Sequence, residues 1–318
     1  MTKPLKIGTR ASPLALVQVD ILMASLRAEH PHLREDGAIE VVKITTSGDR
    51  IQDRPLSEAG GKGLFTKEIE EALLSGDIDC AVHSMKDMPT ELPAGLVIPC
   101  LLPREDPRDA FFSFKAKTLM ELPEGATVGT SSLRRQAIAL SKRPDLKVVT
   151  FRGNVETRLK KLEEGVVDAT FLAYAGLKRL GKEDLVTSVL EPDEMLPAVA
   201  QGAIGIEVRE DNGDIQKLLS AVHCPSTELR VIAERAYLAV MDGSCRTPLA
   251  AHAVLDGDRL HLIAEVLKPD GSRRWRMDET RTGINTLEAA RAFGLSLGQR
   301  LRREGGSEVE AILTGAGQ

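Results

Sequence analysis

An internal repeat constrains the fold of this chain more than any other feature. The segment Ile7-Gly8-Thr9-Arg10-Ala11-Ser12-Pro13-Leu14-Ala15-Leu16 returns as Val128-Gly129-Thr130-Ser131-Ser132-Leu133-Arg134-Arg135-Gln136-Ala137-Ile138. Each copy is a short apolar strand, then Gly-Thr, a serine and an apolar helical pattern. Residues 39–42 and 146–149 follow as strand-like runs. A glycine then opens a charged amphipathic helix, at 63–76 and again at 153–165, and each helix ends in Gly-x-x-Asp before an apolar strand, 79–82 and 168–172. Strands alternating with helices in the same order twice predict two α/β lobes of similar build.

The stretch Leu102-Pro103-Arg104-Glu105-Asp106-Pro107 reads as a crossing between lobes, and Leu196-Pro197-Ala198-Val199-Ala200-Gln201-Gly202 as a second. Residues 203–208 read as a strand returning to the first lobe's sheet, and two crossings predict a hinge with a cleft. From Pro225 the pattern changes. Ser226-Thr227-Glu228 signals a capped helix running to Gly243. Strand-like runs at 250–255 and 260–267 flank the hairpin signal Asp256-Gly257-Asp258, a third contains Trp275, and a long helix is expected over 286–303. The expected fold class is α/β: two similar lobes with mixed sheets joined by a hinge, in the manner of periplasmic binding proteins, plus a C-terminal α+β domain with a small antiparallel sheet. Residues 1–103 and 203–221 form the first lobe in this reading, 107–199 the second, and 225–318 the last domain.

Composition narrows the partners. Lys and Arg total 42 against 47 Asp and Glu, and aromatic residues are 3 per cent of 318, so neither a nucleic-acid surface nor a base-stacking platform is expected. No apolar run approaches the roughly 20 residues that span a bilayer, and the first residues lack the apolar core of a signal peptide. A cytoplasmic monomer is the default. Cys80, Cys100, Cys224 and Cys245 have neither disulfide-framework nor zinc-ribbon spacing, so no metal is expected.

The chemistry concentrates at turns. Arg10, Ser12, Thr130, Ser131, Ser132, Arg134 and Arg135 lie at or near two helix starts, and Arg152 and Arg158 flank a third. Helix N-termini attract anions, but arginine there opposes the dipole unless an anion accompanies it. One such arginine is ordinary solvated surface; their recurrence at equivalent turns points to anion binding. Gly60-Gly61-Lys62-Gly63 fails the phosphate-loop pattern, and many guanidiniums suit a ligand with several carboxylates. The run Cys80-Ala81-Val82-His83-Ser84-Met85-Lys86-Asp87-Met88-Pro89 reads as a buried strand ending in a polar cluster, with Pro89 holding Met88 extended. Asp87 therefore falls at a strand's C-terminal end, where ligands of open α/β sheets bind, or else on a solvated turn. Cys245, in Asp242-Gly243-Ser244-Cys245-Arg246-Thr247-Pro248, is expected on an accessible loop. An incidental thiol, a nucleophile lacking a nearby histidine, and a thiol carrying a covalent group all remain open.

In order along the chain, the 83–89 run, Gly129-Thr130-Ser131-Ser132-Leu133-Arg134-Arg135, Arg152-Gly153-Asn154, Leu172-Ala173-Tyr174-Ala175-Gly176-Leu177-Lys178-Arg179-Leu180 and Gly243-Ser244-Cys245 resemble the porphobilinogen deaminase (hydroxymethylbilane synthase) family. The resemblance implies a transferase of tetrapyrrole biosynthesis that joins four porphobilinogen units head to tail with loss of ammonia. It implies a dipyrromethane cofactor held as a thioether by Cys245, and Asp87 as the catalytic carboxylate. It further implies that Ser84, Lys86, Asp87, Thr130, Ser131, Ser132, Arg134, Arg135 and Asp49 contact the cofactor. Arg10, Ser12, Gln18, Lys62, Phe65, Arg152, Arg158 and Arg179 are the implied substrate contacts. Ala200 departs from the family, replacing a glycine common before Gln-Gly, and Glu58 stands where some relatives carry lysine. A solute-binding module and a phosphate-handling enzyme are the competing classes, disfavoured by the third domain and the missing phosphate loop.

Overall fold

The computed structural model describes residues 3–50, 63–241 and 247–315, the side chains of Asp49 and Arg50 excepted. Lys62 and Cys245 therefore lie outside the described residues, as does the side chain of Asp49. The chain begins β1 (Leu5–Arg10), α1 (Pro13–Glu29), β2 (Ile39–Ile44), α2 (Ser47–Arg50), α3 (Lys67–Ser75), β3 (Cys80–Ser84) and β4 (Leu96–Leu101). It continues through β5 (Asp109–Ser113), β6 (Thr127–Gly129), α4 (Leu133–Lys142), β7 (Lys147–Val149), α5 (Val155–Glu163), β8 (Ala169–Ala173), α6 (Tyr174–Arg179) and β9 (Ser188–Leu190). It ends with β10 (Ile204–Arg209), α7 (Gly213–Ser220), α8 (Pro225–Val240), β11 (Leu249–Asp256), β12 (Arg259–Leu267), β13 (Arg274–Arg281) and α9 (Leu287–Thr314).

Two compact units result: described residues up to 105 with 202–227 form one, and 106–201 with those from 228 onward form the other. In the first, the sheet order is β2-β1-β3-β10-β4, with β1 parallel to β2 and β3, and β10 antiparallel to both its neighbours. In the second, the order is β7-β6-β8-β5-β9, with β6 parallel to β7 and β8, and β5 antiparallel to β8 and β9. The repeat is thus a repeat of topology. In each sheet the antiparallel fourth strand is the one that follows a crossing segment.

Local chemistry explains why the copies fold alike. Ser12 caps α1 by accepting from Ala15 N, and Ser132 caps α4 by accepting from Arg135 N. Gly8 and Gly129 are required by close approach: a Cβ would stand 2.3 Å from Ile78 Cδ1 in one and 2.6 Å from Phe151 Cγ in the other. The first core packs Val19, Leu22 and Leu26 of α1 on Ile7, Cys80, Val82, Ile206 and Val208. Cys80 is fully buried there, and burial pushes its thiol pKa well up, so it is inert packing. On the sheet's other face, Ile69 and Leu73 of α3 cover Ala81 and Ile78.

In the second unit, β11-β12-β13 form an antiparallel sheet packed by α9 and tied to α8 by Tyr237 Oη donating to Glu265 O and Ala253 N donating to Glu234 Oε1. The two helices touch at Gly294, where a Cβ would sit 2.1 Å from Ala233 O. Two boundaries differ from expectation. The eighth helix starts at Pro225, whose missing N–H suits the first helical position, rather than with Ser226 as cap. The last helix runs past residue 303 to Thr314, broken at Gly306, whose φ of 52° lets two helical segments abut. No helix among the described residues is long and apolar enough to cross a membrane.

Candidate active site

In the first unit, β3 hands its polar end to one 3-10 turn, Met85–Asp87. Met85 and Met88 are buried and clamp the turn from both sides, leaving Lys86 and Asp87 half-exposed. Met88 is extended (φ −82°, ψ 133°), as Pro89 requires. Among the described residues the Asp87 carboxylate has no hydrogen-bond or ion-pair partner. Beside it, Ser84 Oγ accepts from Gln18 Nε2 at 2.8 Å, and Gln18 is only 2 % exposed. Arg10, at the end of β1, stacks its guanidinium 4.2 Å above the Phe65 ring, and that ring packs on Gly48. The first turn of α1 holds no acidic residue. Arg10, Ser12, Phe65, Ser84, Lys86 and Asp87 therefore belong to strand ends, caps or turns of this one unit, and Gln18 reaches Ser84 from within α1.

In the second unit the hydroxyls mostly build the turn. Thr130 Oγ1 accepts from Ser132 N (3.1 Å), and Ser131 Oγ donates to Phe151 O (3.0 Å) while accepting from Phe151 N (3.2 Å). The first turn of α4 again lacks an acid and carries two arginines instead. Both are buried, Arg134 at 4 % and Arg135 at 7 % exposure, where the expected reading had them simply facing a ligand. Arg135 donates through Nε and Nη2 to Asp109 Oδ1 (3.2 and 2.6 Å) and through Nη1 to Phe171 O (2.8 Å). Arg134 Nη1 donates to Leu196 O (2.7 Å) and lies 2.7 Å from Asp109 Oδ2. Its Nε is buried with no partner.

Asp109 is the residue that sequence reasoning missed. A lone aspartate opening the apolar strand β5 carried no signal beyond its oddity there. Burial by itself would raise its pKa, but the two guanidiniums together outweigh that and hold the carboxyl at about 2. Among the described residues, Arg158 on α5 has no such carboxylate. Its Nε is buried without a partner, and burial, aided by the charge of Arg135, pulls its pKa down to about 10. Arg152 and Arg179 are half-exposed, on the connection before α5 and at the end of α6. Among the described residues, Arg158 and the single carboxylate shared by Arg134 and Arg135 thus leave positive charge at this helix start, which favours an anion. Among the described residues there is no group of three or more His, Cys, Asp or Glu that could hold a metal ion.

Comparison with known proteins accounts for both units. Residues 5–217 match the family model "Porphobilinogen deaminase, dipyromethane cofactor binding domain", and residues 228–303 match "Porphobilinogen deaminase, C-terminal domain". The chain is 60% identical over 299 residues to the porphobilinogen deaminase of Paracoccus denitrificans, covering 94% of each. It is 53% identical over 303 residues to the chloroplastic porphobilinogen deaminase of Oryza sativa, covering 95% of this chain and 84% of that one. Among solved structures, a periplasmic substrate-binding protein of a Coxiella burnetii ABC transporter matches at a TM-score of 0.42 and 17% identity, over 70% of this chain and 93% of that one.

Proposed function

Because the chain belongs to the porphobilinogen deaminase family, we propose that its residues perform the stepwise, ammonia-releasing joining of four porphobilinogen molecules into hydroxymethylbilane. It is a transferase of tetrapyrrole biosynthesis whose first matched segment is a dipyrromethane-binding one. We assign Cys245 as the attachment point, through a thioether. When bound, the cofactor supplies the pyrrole terminus to which substrate units are added. Dipyrromethane carries acetate and propionate groups, and the unpartnered Nε of Arg134 and the guanidinium of Arg158 are fit to receive such anions.

The residues then divide by what each can do. Asp87, with no internal partner and half-exposed on a clamped turn, can accept the proton of a pyrrole N–H and face the positive charge that develops as the amine departs. Lys86 beside it, and Ser84 oriented by Gln18, can hold carboxylate side chains at the same turn. Arg10, steadied on Phe65, and Ser12 at the cap of α1 extend that set. Thr130, Ser131 and Ser132 shape the turn that carries Arg134 and Arg135, and Arg152, Arg158 and Arg179 add cations for substrate carboxylates. Asp49 and Lys62 keep the roles that the family motif gives them. The reading takes the protein as a cytoplasmic monomer with porphobilinogen as its partner and no nucleic acid or membrane.

The observation that carries the proposal is the pair of buried guanidinium nitrogens without partners, Arg134 Nε and Arg158 Nε. Intact mass tests it. The purified protein should weigh more than its sequence by one dipyrrole, and Cys245→Ala should lose both that mass and activity. A Cys245→Ala protein that stays fully active would remove the attachment.

A further inference from the structure

Behind the catalytic turn lies a buried polar cluster that the reaction as described leaves unused. On the antiparallel pair of β3 and β10, Ala81 stands opposite Glu207 and His83 opposite Gly205. Ala81 packs under α3, so by strand alternation His83 and Glu207 point to that same covered face. His83 Nε2 meets Glu207 Oε2 at 2.9 Å, with the histidine 6 % and the glutamate 0 % exposed. Glu207 Oε1 has no hydrogen-bond partner. Glu70 of α3, 8 % exposed, lies close by, and burial, together with the charge of Glu207, raises its pKa.

Stability does not account for this arrangement. Backbone bonds already set the register of β3 on β10, and an apolar pair of similar volume would hold the strands as well or better. What the pair adds is orientation at one place. His83 is four residues before Asp87, and the turn between them is tied twice more, once to the residue preceding β10 and once to β10 itself. Met85 N donates to Ala203 O at 3.0 Å. The Met85 thioether occupies the space over Gly205, where a Cβ would be 2.1 Å from Sδ. The backbone bond, the thioether and the His83–Glu207 contact thus anchor His83 and Met85, the residues leading into Asp87, along β10 and its start.

We propose that His83 and Glu207 are positioning residues of the reaction: their buried pair fixes the end of β3 against β10 and so sets where Asp87 is presented. The proposal rests on the reading of Asp87 given above. In reactions of this kind a displacement of about 1 Å costs on the order of 100-fold, so loss of the pair is read in turnover rather than in binding.

The test uses the cofactor-loaded protein, with loading checked by intact mass. Glu207→Gln and His83→Gln should lower kcat about 10- to 100-fold while KM for porphobilinogen stays within about twofold. The double variant His83→Leu with Glu207→Met should melt no lower than the parent yet keep the same kcat loss. Loaded variants with kcat within threefold of the parent would overturn the proposal. So would a double variant too unstable to assay, because the pair would then belong to the fold rather than to the turn. Asp87→Asn is measured in parallel: if it turns over normally, the reading of Asp87 is what has failed; if it is slow while the pair variants are normal, this inference alone is wrong.

Discussion

Asp109 Oδ1 accepts from Arg135 Nη2 at 2.6 Å inside the second unit, and the same carboxylate lies 2.7 Å from Arg134 through its other oxygen. One buried acid therefore anchors two consecutive arginines of α4 whose charge it can only half cancel. The surplus lets the helix start attract an anion, and the anchoring keeps the guanidiniums from collapsing onto the surface.

Removing that acid should be costly. Asp109→Asn leaves two buried guanidiniums beside a neutral amide, and breaking a buried pair from one side costs about 3–5 kcal/mol. Chemical denaturation should show that loss. The pH dependence has a definite sign: a carboxyl held at about 2 in the folded chain, against 3.8 ordinarily, adds stability above about pH 4. That contribution, on the order of 2 kcal/mol, disappears as pH falls towards 2. An Asp109→Asn protein as stable as its parent at neutral pH would contradict the ion-pair account.

Asp87→Asn should fold and load cofactor normally, because the carboxylate makes no internal bond that the amide would break. Turnover should fall by about 100- to 10,000-fold, the range of positioned acid–base groups. Steady-state release of ammonia measures it, and near-normal rates would remove Asp87 from its role.

Arg158→Met should separate function from stability. The arginine's charge is opposed by burial and by Arg135, so an apolar chain of similar length should leave the melting temperature unchanged or raised. If Arg158 holds a substrate carboxylate, kcat/KM should fall about 10- to 100-fold, the worth of one charge-assisted hydrogen bond. A variant that melts early yet elongates normally would reverse the assignment.

Ala200 has a φ of 59°, the only non-glycine in the left-handed region among the described residues. Its N–H donates to Glu234 Oε2 at 2.6 Å, and its side chain is fully buried. A glycine fits this geometry without strain. Ala200→Gly should be neutral or stabilising by up to about 1 kcal/mol, and Ala200→Val destabilising by about 2 kcal/mol, since branching at Cβ worsens both strain and crowding. Thermal melts of the three proteins test that order, and a valine variant as stable as the parent would refute it.

Much of the architecture was readable in the chain because its signals are local. Serine caps, glycines under a close neighbour and a proline after Asp87 act within a few residues, so the repeat, the strand ends and the catalytic turn appear as short patterns. The helix α8 starts two residues before the position a Ser226 cap implies, because Pro225 satisfies the first helical position better than Ser226 satisfies a cap. The last helix extends beyond the expected 303 because the backbone breaks at Gly306 and then resumes as helix to Thr314.

By itself the sequence determined where the cations, the lone acid and the thiol stand along the chain, since motif spacing and turn chemistry are properties of neighbours. Only the tertiary structure decided which charges meet. Asp109 reaches Arg135 across 26 positions and His83 reaches Glu207 across 124. Such pairs are selected by strand order and burial, which bring distant residues together and, by excluding water, make their partnership strong enough to matter.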